Sequence, residues 1–335
     1  MLNDKSILVT GGTGSFGKRL IRTILTRYKP RRLIVFSRDE LKQFEMQRDF
    51  PDTRFDCMRY FLGDVRDKDR LYRAFDGVDV VIHAAALKQV PAAEYNPIEA
   101  IRTNVLGAAN VIDAAIDKGV QRVVALSTDK AANPINLYGA TKLCSDKLFI
   151  AARAYSNART QFCVVRYGNV IGSRGSVVPV FLRQKESGSV TITDERMTRF
   201  VITLDQGVQF VIDSLERMQG GEIFVPKIPS VGINDIAEAI APACQRNYIG
   251  IRPGEKLHEV MVAEDDARNT LEFANHFSIL PDVAALENPV FTQNGLGKRC
   301  PEDFRYSSDR NDVWVDSVGF NRLWQDEQSS EARSL

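Results

Sequence analysis

Tyr138 and Lys142 stand four positions apart in the run Tyr-Gly-Ala-Thr-Lys, so on a helix they share a face one turn apart. An ammonium beside a phenol favours the phenolate. A phenol tuned in this way can exchange a proton with a hydroxyl while a hydride moves to or from a nicotinamide. The spacing is common on ordinary helices and gains weight only from what surrounds it. A second pair lies just upstream, in Leu126-Ser127-Thr128-Asp129-Lys130. Lys130 can act as a base only when neutral, and moving a lysine from roughly 10.4 to near 7 needs about 4–5 kcal/mol of differential destabilisation of the ammonium. Burial beside Lys142 and an oxidised nicotinamide is the expected source. Asp129 is the candidate donor of a proton to a leaving hydroxyl, and Thr128 is grouped with these residues. The blander alternative is an exposed loop ion pair worth little.

These residues need a scaffold, and the first half of the chain supplies one. Apolar β-type runs at Ser6-Thr10, Leu33-Ser37, Met58-Leu62, Val78-His83, Arg122-Leu126 and Phe162-Arg166 alternate with amphipathic helical runs. Strands alternating with helices imply βαβ units and a parallel sheet, so the expected class is α/β, a Rossmann-type doubly wound sheet. Its first turn reads Gly11-Gly12-Thr13-Gly14-Ser15-Phe16-Gly17 between an apolar strand and a helix start. Gly11 and Gly14 let backbone approach a pyrophosphate at the helix N-terminus, and Gly17 lets helix pack closely on sheet. Strand two ends in Ser37-Arg38-Asp39-Glu40, and an arginine at that point favours a 2′-phosphate, hence NADP over NAD. The alternative there is that Arg38 caps or solvates the next helix while Asp39 takes the ribose. Asp64 and Val65 after strand three, and Ala84-Ala85-Ala86 after strand four, lie at strand carboxyl ends, where the rest of such a cofactor sits.

After about Gly168 the strand rhythm breaks into Gly-, Ser- and Pro-bearing loops, with helices near Leu204-Met218 and Val231-Ala243. Residues 1–168 are therefore expected to form the nucleotide-binding domain. Residues 169–335 are expected to form mainly a smaller substrate region, with some segments returning to the sheet and a polar, frayed tail from 326. The 335 residues, 44% hydrophobic, suffice to bury a core. Lys plus Arg number 44 against 43 Asp plus Glu, and a net charge of +1 gives no field for gripping nucleic acid or an anionic membrane. The start runs straight into an apolar strand, which leaves no room for an export signal, and the longest apolar stretch, 78–87, is roughly half a membrane span. Five scattered cysteines fit a reducing cytoplasm, and His83, His258 and His276 are not spaced as metal ligands.

Further motifs are Gly-Asp-Val-Arg-Asp at 63–67, Arg-Tyr-Gly-Asn-Val at 166–170, Met-Thr-Arg-Phe at 197–200 and Arg-Pro-Gly-Glu-Lys-Leu-His-Glu at 252–259. With the glycine loop, Ser-Arg-Asp-Glu-Leu-Lys at 37–42, Ser-Thr-Asp-Lys-Ala at 127–131 and Tyr-Gly-Ala-Thr-Lys, they run over most of the chain. Together they resemble the inverting UDP-N-acetylglucosamine 4,6-dehydratases of pseudaminic acid biosynthesis, within the extended short-chain dehydrogenase/reductase superfamily. The glycine loop and Tyr-Gly-Ala-Thr-Lys belong to the whole superfamily, whereas the Asp-Lys pair and the last two motifs are more specific.

The resemblance implies a redox-neutral lyase. Hydride leaves carbon 4 for NADP, water is eliminated across carbons 5 and 6, and hydride returns to carbon 6, with carbon 5 inverted. It implies that Tyr138 assists oxidation, that Lys130 removes the carbon 5 proton and that Asp129 protonates the departing carbon 6 hydroxyl. The retaining dTDP-glucose dehydratases carry a glutamate where Lys130 stands. Lys88 is implied near the sugar, and Asn169, Arg174, Arg199, Arg252 and Glu255 at the diphosphate or uridine ribose, while residues 284–298 are given no role. A homo-oligomer, with a hexamer as one form, is also implied. The rival readings are a UDP-sugar 4-epimerase, which leaves Lys130 without work, and a non-catalytic NADP-binding protein.

Overall fold

The computed structural model describes residues 1–156, 159–173 and 175–332. The chain opens β1 (Ser6–Thr10), α1 (Ser15–Arg27), β2 (Arg32–Ser37), α2 (Glu40–Asp49), β3 (Met58–Leu62), α3 (Lys68–Ala74) and β4 (Val80–His83). Next come α4 (Val90–Tyr95), α5 (Pro97–Ile101), α6 (Gly107–Asp117), β5 (Arg122–Thr128), α7 (Leu137–Tyr155) and β6 (Gln161–Tyr167). The second half brings β7 (Asn169–Val170), α8 (Val177–Lys185), β8 (Ser189–Ile192), β9 (Thr198–Ile202), α9 (Leu204–Arg217), β10 (Ile223–Pro226), β11 (Ser230–Gly232) and α10 (Ile233–Ile240). It closes with β12 (Gln245–Tyr248), β13 (Val260–Val262), α11 (Glu264–Ala267), β14 (Thr270–Glu272), β15 (His276–Ile279), β16 (Lys298–Arg299), β17 (Tyr306–Ser307) and α12 (Ser317–Ala332).

The main sheet has the order β16-β14-β15-β10-β6-β5-β4-β1-β2-β3. From β3 to β10 the neighbours are parallel, and β15, β14 and β16 add an antiparallel edge. Every residue of β1 and β4 is buried, because helices cover both faces, and such strands read as continuous apolar runs. Strand order reverses between β1 and β4, which opens a crevice at the carboxyl ends of these strands. The second half contributes β10, β14, β15 and β16 to this sheet and also builds its own apolar core, from Ile171, Val178, Phe181, Val190, Ile192 and Phe320.

Several element ends differ from the sequence reading by one to three residues, and three departures have a cause in the structure. β5 continues through Thr128, held by pairing of Ser127 and Thr128 with Arg166 and Tyr167 on β6. The helix expected from Val231 starts at Ile233, because Ser230–Gly232 pair with β9. The tail expected to fray is helical through Ala332 and carries a buried carboxylate. Glu327 Oε1 accepts from Arg19 Nη2 at 2.8 Å, and Oε2 accepts from the Leu204 amide at 2.8 Å. Hydropathy reads such a glutamate as surface, although it is buried because it neutralises a buried arginine. Among the described residues no helix is long and apolar enough to cross a membrane, and no group of three or more His, Cys, Asp and Glu could hold a metal ion.

Candidate active site

A cleft of about 630 Å³ lies at the crevice, and its floor is the glycine turn. Gly11 has φ of +66°, and a Cβ there would meet the backbone of Ala84 and Ala85 at 2.8–2.9 Å, so only glycine lets β1 and β4 approach. A Cβ on Gly17 would be driven into the backbone of Gly12, which fixes α1 against the turn. Gly14 is the N-cap of α1 and no side chain caps that helix. Its first amides therefore lack intrahelical acceptors and face a cleft also lined by Thr13, Ser15 and Phe16, a fit for the pyrophosphate of a dinucleotide.

At one end of the cleft lie Ser37, Arg38, Asp39 and Lys42. Asp39 is turned away: its Oδ1 accepts the Lys42 amide at 3.0 Å as the cap of α2, and its Oδ2 pairs with Lys42 Nζ at 2.6 Å. Those bonds from Lys42 hold its carboxyl below the usual range. Arg38, half exposed, lies 3.5 Å from Asp64, whose carboxylate is also held by Arg66. Asp39, the residue of the ribose alternative, lines the cleft and spends its carboxylate on Lys42. Val65 and Ala84, Ala85 and Ala86 line the wall beyond.

At the other end β5 delivers Thr128, a short helical turn carries Asp129 and Lys130, and α7 brings Tyr138 and Lys142 beside them. Asn136 caps α7 by accepting the Gly139 amide at 2.8 Å, and a Cβ on Gly139 would strike the Lys130 carbonyl. That glycine is what allows the turn to sit on the helix. Asp129 is buried, and its Oδ1 accepts from Thr128 Oγ1 at 2.8 Å and Lys130 Nζ at 3.1 Å. Its Oδ2 is buried without a hydrogen-bond partner. Burial pushes the Tyr138 phenol up to about 12, against which Lys130 and a hydrogen bond with Thr128 act. The cation acting most on Tyr138 is thus Lys130 rather than Lys142. Burial lowers Lys142, opposed by Asp146 one turn on, which Ser127 and Arg166 hold at 2.8 and 3.3 Å.

The expectation that Lys130 is pushed down is reversed. Burial would lower its ammonium, but Asp129 and Glu259, whose Oε1 is 3.4 Å from Nζ, outweigh burial and hold it above the usual lysine range. Glu259 lies in the 252–259 motif, and nothing local in the sequence links its carboxylate to a lysine 129 positions earlier. Gly139 is signalled in the sequence only as a glycine inside a helical run.

The expected substrate residues divide. Lys88 and Asn169 line the cleft, and Asn169 Oδ1 is buried with no partner. Burial and then Lys130 lower Lys88. Arg174 lies outside the described residues. Arg199 is not at the cleft: its guanidinium donates to the carbonyls of Thr198 at 2.7 Å, Leu257 at 3.0 Å and Lys256 at 3.1 Å, and so pins the 252–259 loop. Arg252 is exposed and 4.0 Å from Glu255, both outside the cleft lining, although Glu255 Oε2 is buried without a partner. Asn136 Nδ2 to the Gly254 carbonyl at 2.8 Å and Lys256 Nζ to the Ala132 carbonyl at 2.7 Å fasten this loop to the Lys130 turn.

Residues 7–281 match the model of a family described as polysaccharide biosynthesis protein. A UDP-N-acetylglucosamine 4,6-dehydratase (inverting) of Campylobacter jejuni is 56% identical over 322 residues, 94% of this chain and 96% of that one. A UDP-glucose 4-epimerase of Rickettsia massiliae is 42% identical over 311 residues, 89% of each. Among solved structures, Pen from Bacillus thuringiensis has a TM-score of 0.87 at 38% identity, covering 98% of this chain and 99% of that one. The chain therefore belongs to the polysaccharide biosynthesis protein family of the extended short-chain dehydrogenase/reductases, which includes the inverting UDP-N-acetylglucosamine 4,6-dehydratases.

Proposed function

We propose that this chain is an NADP-dependent lyase that dehydrates UDP-N-acetylglucosamine across carbons 5 and 6 with inversion at carbon 5. The product is UDP-2-acetamido-2,6-dideoxy-beta-L-arabino-hex-4-ulose, an opening step of pseudaminic acid type synthesis, made by a cytoplasmic homo-oligomer. One observation carries this reading: an acid and a base candidate, Asp129 and Lys130, stand side by side at the cleft next to Tyr138, with one Asp129 oxygen buried and unpartnered. A 4-epimerase has no use for such a pair. The 56% identity to an inverting dehydratase supports the same choice.

A nicotinamide dinucleotide held by its pyrophosphate at the glycine turn would supply the acceptor, and later the donor, of the hydride that leaves carbon 4 and returns to carbon 6. As the phenolate, which Lys130 and Thr128 favour against burial, Tyr138 takes the proton of the carbon 4 hydroxyl; Lys130 takes the proton of carbon 5, and Asp129 gives one to the carbon 6 oxygen, which departs as water. For the cofactor, commitment of Asp39 to the α2 cap leaves Arg38 and Lys42 as the charges at that end of the cleft, which favours a 2′-phosphate. Lys88 and Asn169 are the groups placed to meet the sugar and its diphosphate.

The test is incubation with UDP-N-acetylglucosamine in heavy water without added reductant, followed by proton NMR. A 4-keto-6-deoxy product with deuterium and inverted geometry at carbon 5 is the expected result. A 4-epimer still protonated at carbon 5 would establish the epimerase instead.

A further inference from the structure

Lys130 presents a difficulty for any reaction that needs it as a base, because it rests as an ammonium between two carboxylates, Asp129 at 3.1 Å and Glu259 at 3.4 Å. Glu259 is 3% exposed, stands outside the cleft lining and keeps Oε2 buried without a partner, so its position is behind Lys130 and away from the substrate. We propose that Glu259 is a positioning residue that keeps one proton stored on the Asp129–Lys130 pair, so that the pair acts as acid and base in the same elimination. This rests on the dehydratase reading above.

The proton balance closes within the pair. Lys130 passes one ammonium proton along its 3.1 Å contact to Asp129 Oδ1, leaving an amine and a carboxylic acid. The amine takes the carbon 5 proton, and the electrons of that carbon–hydrogen bond form the carbon 5–carbon 6 double bond. The carbon 6–oxygen bond breaks with its electrons on oxygen, and the Asp129 proton completes the water. Lys130 ends as ammonium and Asp129 as carboxylate, as they began. The cycle fails once the pair has lost its proton to alkaline solvent, and the negative charge of Glu259 opposes that loss. The other charged or titratable groups around Lys130 are Tyr138 from α7, Arg199 from β9, Lys256 from the 252–259 loop and Lys88 after β4. Arg199, Lys256 and Lys88 are cationic and favour loss of the proton, which leaves Glu259 and Asp129 to retain it.

The experiment compares wild type, E259Q and E259D in the heavy-water assay across about pH 8–12 (about two units either side of the ordinary lysine value), alongside an NMR titration of Lys130 Nζ in the protein alone, assigned with K130R. In E259Q the alkaline limb of turnover and of the Lys130 titration should both move down by about one pH unit or more, an activity loss of about tenfold above the limb. E259D, which keeps the charge, should recover most of that shift. An alkaline limb at the same pH in all three proteins, with only a uniform loss of kcat, would overturn the proposal. If E259Q does not fold, the wild-type titration decides: Lys130 titrating at or below the ordinary lysine value overturns it. If wild type forms no dehydrated product, the dehydratase reading fails, whereas normal wild-type turnover with an unmoved E259Q limb sinks only the role of Glu259.

Discussion

Burial without a countercharge sets the behaviour of two histidines. His83 shares a 2.8 Å hydrogen bond with Thr10, and His276 is approached by Arg217 at 2.9 Å; burial, with Lys142 beside one and Arg217 and Lys227 beside the other, lowers each ring to about 3. An unfolded histidine titrates near 6.5, so below that value the unfolded chain binds protons that the folded one refuses. The stability is fully present above about pH 6.5 and declines as pH falls toward the folded value of about 3. The two rings together should cost on the order of 2–3 kcal/mol by about pH 5.5. Urea unfolding at pH 7.5 and 5.5 (about one unit either side of the free histidine value) checks this, and H276N should remove roughly half of the loss. An unchanged midpoint in wild type would sink the idea. At this scale the sequence is readable where chemistry is local: Asp129, Lys130, Tyr138 and Lys142 lie within fourteen positions and meet at one cleft. It is unreadable where a partner comes from afar, as Glu259 does for Lys130, or where a residue that could bind an anion is committed to backbone carbonyls, as Arg199 is.

Among the elements, α7 is the one whose position the site depends on most. Replacing a helical glycine by alanine ordinarily gains up to about 1 kcal/mol. At Gly139 the added methyl would meet the Lys130 carbonyl, so the sign reverses. G139A should melt below wild type and displace the Lys130 turn from Tyr138, with a loss of kcat of up to about 10²-fold while nucleotide binding is kept. A variant with wild-type kcat would show that the turn and helix can part without consequence. The parallel strands β1, β2, β4, β5 and β6 were legible because burial on both faces writes them as apolar runs between helices, and β3, at the sheet edge with only Met58 fully buried, was legible from its place in the alternation of strands and helices. The second half was not, since its strands are two to five residues long and find partners far off, β8 with β12 and β13 with β17. No window on the chain carries that pairing.

At the scale of the whole molecule, an ion cluster outside the cleft joins α1, α9 and α12. Arg19 lies 2.8 Å from Glu327 and 2.7 Å from Asp205, and both Arg19 and Glu327 are almost fully buried. Removing one member of such a pair leaves a buried charge uncompensated, at a cost of about 3–5 kcal/mol. In E327Q the half-exposed Asp205 still answers Arg19, so the expected loss in chemical denaturation lies at the low end of that range, about 3 kcal/mol. The paired replacement R19M with E327L should recover much of it, and equal instability of single and double variants would refute the charge argument. Glu327 comes 308 positions after Arg19. On the ribosome, the glycine turn and its helix are made, and can begin to pair with β1 and β2, long before the residue that neutralises Arg19 has been translated. Any nascent chain or premature stop short of 327 leaves the Arg19 guanidinium, on the helix after the glycine turn, with no buried carboxylate to answer it and at most the half-exposed Asp205, a mark by which unfinished copies differ from finished ones.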